Sequence, residues 1–263
     1  MNSRRISRRV CLISGDETLH AFGRASGCGY GRPMSATWQK RVDTLQRRIA
    51  GESDVGRRMY LVAQELCSQP YRADALVGGP ELEEKLVIDL GSFDCVTFVE
   101  SVLALGRSRT SQSFLRELTQ LRYRNGEIRW RTRLHYFSDW LRANHRRGAI
   151  RVRTRGAGAQ TISTHLGTLV ALPERRIQLV VVPKANLHRA VSRISHGSVI
   201  AFASVRARLD FFHVGLAFWK DDALTLFHAS RSLGQVASVP LSDFLSNNRM
   251  RGIAFAAPCV GTP

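Results

Sequence analysis

The sequence stretch best suited to chemistry begins at Asp94-Cys95 and continues into an apolar run with helical spacing. Val96, Val99 and Leu103 recur on one face, which predicts a helix that begins at the cysteine. A thiol in the first turn lies beside unpaired backbone N–H groups and the positive end of the helix dipole, and both favour the thiolate. Cys95 is therefore the candidate nucleophile, although most cysteines are small buried apolar residues.

Two histidines occur on a predicted β-hairpin further along the chain. Residues 211–219 and 224–230 read as strands joined by a tight polar turn. With the two aspartates of that turn at its centre, His213 and His228 become diagonal neighbours on one face, about 7–8 Å apart. His213 is the candidate base, and His228 is the candidate residue that fixes its tautomer and orientation.

Cys95, His213 and His228 together predict acyl transfer by a thiol. Cys95 attacks a carbonyl, His213 protonates the leaving amine, and backbone N–H groups at the helix start hold the oxyanion. For this contact we expect the Cys95 helix to pack on the histidine-bearing face, where Gly215 and Ala217 leave room. Activity that needs a thiolate and a protonated imidazole is expected to have a bell-shaped pH dependence.

Length and cysteine usage limit the other classes of protein. The chain has 263 residues, of which 44% are apolar, and this is enough for a substantial core. It contains no apolar run of the length that a membrane-spanning helix needs. The five cysteines are scattered and include no C-x-x-C pair, which argues against a disulfide framework and a cysteine-based zinc site. No metal or other cofactor is expected.

The charge balance predicts an anionic partner. The formal net charge is +18, and residues 122–155 hold eleven arginines against Glu127 and Asp139. Such a segment is typical of a solvated surface, and it also suits nucleic acid, anionic lipid or an anionic cell wall. Nucleic acid is not expected, because the sequence has no zinc-finger spacing, helix-turn-helix signal or aromatic RNA-binding motif.

The chain is predicted to have an accessory N-terminus. Its basic start is followed by only four apolar residues, fewer than the 7–15 that a secretory signal needs. We expect a disordered or non-native extension (1–33), with Met34 as an alternative start, a helical subdomain (34–80), a core (81–257) with a helical and basic insertion (107–170), and a tail (258–263). Localisation is expected in the cell envelope or periplasm if the chain is exported. Without a clear signal peptide, a cytoplasmic location or a signal-independent route stays open.

Hydrophobic periodicity predicts helices in the first half and strands in the second. Helices are predicted at 36–50, 56–68, from Cys95 to about Gly106, at 111–121 and at 135–145, and strands at 85–90, 177–182, 198–204, 211–219, 224–230 and 252–256, with a loop at 154–170. This order indicates an α+β domain with an antiparallel sheet.

The two histidine strands resemble a known family. Phe212–Ala217 and Leu226–Ser230 are similar to the paired histidine strands of NlpC-type papain-like cell-wall hydrolases. More specifically, Asp94–Glu100 and Arg133–Trp140 resemble the N-acetylmuramoyl-L-alanine amidase-like branch of that group. The resemblance covers roughly residues 55–257. It implies a papain-like core whose antiparallel sheet packs on the nucleophile helix, with a triad of cysteine, histidine and histidine at the positions predicted above.

The resemblance implies peptidoglycan or muropeptides as substrate, cut without a metal at the N-acetylmuramoyl-L-alanine bond. The wider group more commonly cuts γ-D-glutamyl bonds to the diamino acid, so this alternative stays open. The Arg133–Trp140 motif is expected to line the cleft, with Arg133 on a substrate carboxylate and His135 or Tyr136 on the oxyanion. Asp94 is counted with these substrate-binding residues, although its main expected role is that of a helix cap.

Two further classes of function stay open. One is a papain-like effector that acts on another amide substrate, and the other is a non-catalytic protein that binds polyanions or nucleic acid. The sequence makes no prediction of oligomeric state.

Overall fold

The structure is a computed structural model that describes residues 37–156, 158–169 and 171–261. The predictions for residues 1–33 and for a start at Met34 lie outside these residues. None of the described helices is long and apolar enough to cross a membrane.

Helices dominate the first half of the described chain, and strands dominate the second. The helices are α1 (Thr37–Arg48), α2 (Val55–Glu65), α3 (Cys95–Arg107), α4 (Ser111–Arg122), α5 (Phe137–Arg146) and α6 (Leu241–Asn247). The strands are β1 (Ile150–Val152), β2 (Gln160–Leu166), β3 (Arg175–Val181), β4 (Ser198–Ala203), β5 (Phe211–Lys220), β6 (Ala223–Ser230), β7 (Gln235–Pro240) and β8 (Gly252–Pro258). One antiparallel sheet has the order β1-β8-β4-β5-β6-β7, and β2 pairs with β3 in a separate ribbon. The predicted α+β class with an antiparallel sheet is confirmed.

The β5–β6 hairpin has the predicted register. Lys220 pairs with Ala223, and the ladder continues to Leu216 opposite Phe227. Asp221 and Asp222 both have positive φ, 47° and 60°, as a two-residue turn of type I′ requires. The hairpin therefore places the two histidines on one face, as the sequence predicts.

The two faces of the sheet are covered by different helices. Val214, Leu216 and Phe218 of β5 share one apolar cluster with the buried side chains of α3. Ala217, on the opposite face, belongs to a second cluster with Leu241 and the rest of α6. The expectation that the Cys95 helix packs on the face of Gly215 and Ala217 is therefore wrong. The reason is physical, because valine, leucine and phenylalanine offer α3 more apolar area than glycine and alanine do.

Three secondary-structure predictions fail where the local pattern is weak. Residues 85–90 form no strand, and only an isolated bridge joins Lys85 to Val77. Residues 154–170, predicted as a loop, contain β2, whose polar side chains are mostly exposed on one side of the ribbon. The pattern also misses β7. It misses β1 because that strand is only three residues long and shows no periodicity.

A buried polar network fixes α3 against its helical neighbours. The Glu100 carboxylate accepts from Arg122 Nε at 2.7 Å and from Trp140 Nε1 at 3.1 Å. All three side chains are buried, and burial is the main cause that raises the pKa of Glu100, against the opposing effect of Arg122. Because Glu100 lies on the helix that Cys95 begins, the network helps to fix the position of Cys95.

Candidate active site

Asp94 defines the start of α3 and so the position of Cys95. Asp94 Oδ1 accepts from the Thr97 backbone N–H at 2.7 Å, and Thr97 Oγ1 accepts from the Asp94 backbone N–H at 3.0 Å. This reciprocal pair is a capping box. The carboxylate of Asp94 is thus engaged in holding the helix start, as the sequence predicts for a cap.

The thiol of Cys95 is protonated in the resting site. Burial, followed by the negative charge of Asp94, raises its pKa to about 12. The backbone N–H groups of Val214, Cys95 and Val96 favour the thiolate, but they do not outweigh these two effects. The N–H groups at the helix start therefore favour the thiolate in the predicted direction, but burial and Asp94 outweigh them.

His213 and His228 contact each other directly. His213 Nε2 lies 2.7 Å from His228 Nδ1, and the two rings are almost perpendicular, at 89°. Burial, with a further contribution from His228, lowers the pKa of His213 to about 3, and burial lowers that of His228 to about 4. Both imidazoles are therefore neutral at pH 7, and one of the two ring nitrogens donates to the other.

Aromatic side chains support the histidine pair. The His213 ring stacks near Phe202 of β4 and Phe244 of α6, at centroid distances of 6.1 and 5.4 Å. His228 meets the edge of Phe244 at 5.3 Å. His228 Nε2 is buried and has no hydrogen-bond partner among the described residues. Phe244 is a supporting residue that the sequence pattern did not identify, because its contact depends on where α6 packs.

Cys95, His213 and His135 line one pocket of about 100 Å³ at the start of β5. No hydrogen bond joins the Cys95 sulfur to His213 in the described part of the chain. Ligand pockets usually measure about 300–1,000 Å³, so this one accommodates a reacting group rather than a whole muropeptide. Arg133 and Tyr136 do not line it.

Arg133 is paired with an internal carboxylate. Its Nη1 donates to Glu84 Oε1 at 3.1 Å, and the Tyr123 hydroxyl donates to the same oxygen at 2.8 Å. The Glu84 side chain is 1% exposed, which makes this a buried ion pair. The structure therefore places a protein carboxylate where the sequence predicts a substrate carboxylate.

Tyr136 holds the turn between β2 and β3. Its hydroxyl accepts from the Leu169 backbone N–H and from the Thr168 hydroxyl, each at 3.4 Å. The side chain is buried. Tyr136 therefore supports the turn through these two hydrogen bonds.

His135 is held by the short 3₁₀ turn Trp130–Thr132. Its Nε2 lies 2.7 Å from the carbonyl oxygen of Trp130, and the two rings lie 4.6 Å apart. A carbonyl oxygen only accepts, so Nε2 carries the proton. Burial is the main cause that lowers the pKa of His135.

Asp210 is a pocket residue that the sequence pattern did not single out. Its Oδ2 accepts from the Ser138 backbone N–H and its Oδ1 from the Phe211 backbone N–H, both at 2.7 Å. It thereby caps α5, whose own cap position, Tyr136, provides no side-chain acceptor. Because the residue at the cap position of α5 is a tyrosine without a suitable acceptor, the sequence indicates that a residue from another part of the chain can cap this helix. Burial raises the pKa of Asp210.

The described residues contain no group of three His, Cys, Asp or Glu side chains placed to hold a metal ion.

A family model that covers most of the chain identifies its family. The family model described as AmiA-like, N-acetylmuramoyl-L-alanine amidase-like, matches residues 61–253. A crystal structure titled N-acetylmuramoyl-L-alanine amidase, from Bacteroides uniformis, is 28% identical and covers 79% of this chain and 100% of its own, with a TM-score of 0.70. A Legionella pneumophila crystal structure has a TM-score of 0.74 over 86% of this chain and 96% of its own, and at 21% identity it shows likeness of fold. A search of curated proteins finds no significant match.

Proposed function

We propose that this chain, which belongs to the AmiA-like family of N-acetylmuramoyl-L-alanine amidase-like proteins, is a peptidoglycan amidase with Cys95 as its nucleophile. The observation that carries the proposal is the bonded pair of His213 and His228 beside a pocket that Cys95 also lines. A thiol at a helix start, a base and a residue that orients the base are the parts that covalent acyl transfer needs. The papain-like character of the core is part of this proposal.

The reaction starts from a neutral thiol and a neutral imidazole. Once substrate fills the pocket, His213 Nδ1 takes the proton of Cys95, and the sulfur forms a bond to the carbonyl carbon. The backbone N–H groups of Cys95 and Val96, which lack intrahelical partners, stabilise the oxyanion. Collapse breaks the C–N bond, and the imidazolium gives its proton to the leaving amine. His213 then removes a proton from water, which hydrolyses the thioester and releases Cys95.

His228 selects the tautomer of His213 that this reaction needs. When His213 Nε2 donates to His228 Nδ1, the free lone pair of His213 lies on Nδ1. The same bond stabilises the imidazolium that forms during the reaction. A neutral histidine stabilises it less than a carboxylate would, which agrees with the neutral resting state.

The family supports peptidoglycan as the substrate class, with the N-acetylmuramoyl-L-alanine bond as the proposed scissile bond. Cleavage of γ-D-glutamyl bonds and action on a different amide are the alternatives. A positively charged protein suits an anionic cell wall, and we propose the cell envelope as its place of action.

A muropeptide digest analysed by mass spectrometry tests the proposal. Wild type should release intact stem peptides and leave the sugar whole, and Cys95→Ala should release none. Cys67→Ala is the matched control, since Cys67 is also half-buried and free but lies outside the pocket. Truncated peptides would instead identify an endopeptidase. Equal activity of Cys95→Ala and wild type would refute the thiol mechanism, and an intact, folded wild type that cuts no muropeptide would refute the substrate.

A further inference from the structure

The hydrogen bond of His135 fixes which ring nitrogen is available to a ligand. Nε2 donates to the Trp130 carbonyl at 2.7 Å, and the Arg133 backbone N–H donates to the same oxygen at 3.3 Å. The His135 backbone N–H in turn donates to the Arg133 carbonyl at 3.0 Å. The turn therefore holds both the backbone and the ring, and Nδ1 is the remaining nitrogen.

Nδ1 of His135 is an acceptor without a partner. It makes no hydrogen bond with any described residue, and it is not among the buried atoms that lack one, so solvent reaches it. Burial foremost, and to a smaller extent the charge of Arg133, disfavour the imidazolium, whereas the bond to the Trp130 carbonyl and the charge of Asp139 favour it, and the net effect lowers the pKa of His135. The neutral ring therefore presents a lone pair at Nδ1, in a residue that lines the same pocket as Cys95.

We propose that His135 determines substrate choice by accepting a hydrogen bond from an N–H or O–H of the substrate through Nδ1. This inference deepens the proposed function and rests on it. It also replaces the oxyanion role predicted for His135, because a neutral ring whose only N–H is already bonded to a carbonyl has no donor left for an oxyanion. A muropeptide supplies suitable donors in its amide groups and sugar hydroxyls, whereas a carboxylate or phosphate does not.

Two substitutions separate the acceptor from the donor of this ring. His135→Asn places an amide oxygen near the position of Nδ1 and gives up the bond to Trp130. His135→Gln extends an amide nitrogen to the position of Nε2, keeps the bond to Trp130 and gives up the acceptor. We would introduce each into Cys95→Ala protein and measure the Kd of N-acetylmuramoyl-L-alanyl-D-glutamate by calorimetry, so that cleavage does not affect the readout.

The acceptor role predicts that His135→Gln weakens binding about tenfold and that His135→Asn weakens it about twofold, as the loss of one hydrogen bond implies. The reverse order would show that the ring only holds the Trp130 turn, and it would overturn the inference. If wild type cleaves muropeptide while this order is reversed, the inference falls and the proposed function stands. If wild type does not cleave and the Cys95→Ala protein does not bind, both fall.

A second measurement avoids substitution of His135. In Cys95→Ala protein labelled with ¹⁵N-histidine, the His135 ring should show a protonated Nε2 and an unprotonated Nδ1. The Nδ1 resonance should shift on addition of the same muropeptide, as for an acceptor that gains a donor. The proposal would be refuted if the ring carried its proton on Nδ1, or if saturating muropeptide did not shift the Nδ1 resonance. This test remains valid even if both His135 variants fail to fold.

Discussion

Replacing Asp210 with alanine removes the side-chain acceptor that caps α5 among the described residues. The substitution leaves the backbone N–H groups of Ser138 and Phe211 without the acceptors that now lie at 2.7 Å. Both N–H groups are buried, and an unsatisfied buried group costs about 1–3 kcal/mol. Asp210 is 2% exposed, and the raised pKa of its carboxyl group shows that burial opposes the charge, which offsets part of the loss. We expect Asp210→Ala to lower the free energy of unfolding by about 2–4 kcal/mol.

Asp210→Asn is expected to cost less than Asp210→Ala. Its amide keeps one acceptor and removes a desolvated charge, but its NH₂ group faces one of the two N–H donors. Urea unfolding at pH 7 measures both values, and Asp243→Ala is the control, since Asp243 is an exposed aspartate on α6 expected to change stability by less than about 0.5 kcal/mol. KM should also rise, because α5 and the pocket residue His135 lose their link to the start of β5. The reasoning would be refuted if Asp210→Ala cost no more than Asp243→Ala.

Four further predictions test the electrostatics and the supporting contacts. Because the pKa of His213 lies near 3, kcat/KM on a defined muropeptide should stay level from pH 7 to 5, and a decline centred near pH 6.5 would contradict the buried neutral pair. Over the same pH range the melting temperature should fall. The pKa values of His213 and His228 are lower in the folded protein than in the unfolded chain, so the unfolded chain binds more protons as the pH drops and becomes relatively more stable. Glu100→Gln should lower the free energy of unfolding by about 3 kcal/mol, since it leaves the buried charge of Arg122 unpaired, and a loss below about 1 kcal/mol in urea unfolding would contradict this. Tyr136→Phe should keep kcat within about twofold, whereas a loss of about a hundredfold or more would restore its oxyanion role.

The features that the sequence predicts correctly depend on local rules. The register of the β5–β6 hairpin follows from strand alternation and from two aspartates that tolerate positive φ. The start of α3 follows from Asp94 and Thr97, which are three residues apart and complete a capping box. In both cases the interacting residues are close in the chain, so no tertiary arrangement has to be known.

The features that the sequence does not predict join distant residues. Arg133 is close in sequence to the candidate site residues, yet its partner Glu84 lies 49 positions away. Asp210 caps a helix 72 positions before it. A charged residue in a motif therefore looks like a substrate ligand until the structure shows that a protein group already satisfies it.

The protonation state of Cys95 shows why local rules also mislead within the site. The helix start provides N–H groups that favour the thiolate, but that start exists because Asp94 caps it, and the same carboxylate raises the pKa of the thiol. Burial is the larger cause of the raised pKa of Cys95 and also lowers that of His213, so the resting pair carries no charge. In the proposed mechanism the proton then moves after substrate binds, when the developing oxyanion gains the backbone N–H groups at the start of α3. On this proposal, positioning Cys95 and activating it are separate tasks, and Asp94 serves the first while it opposes the second.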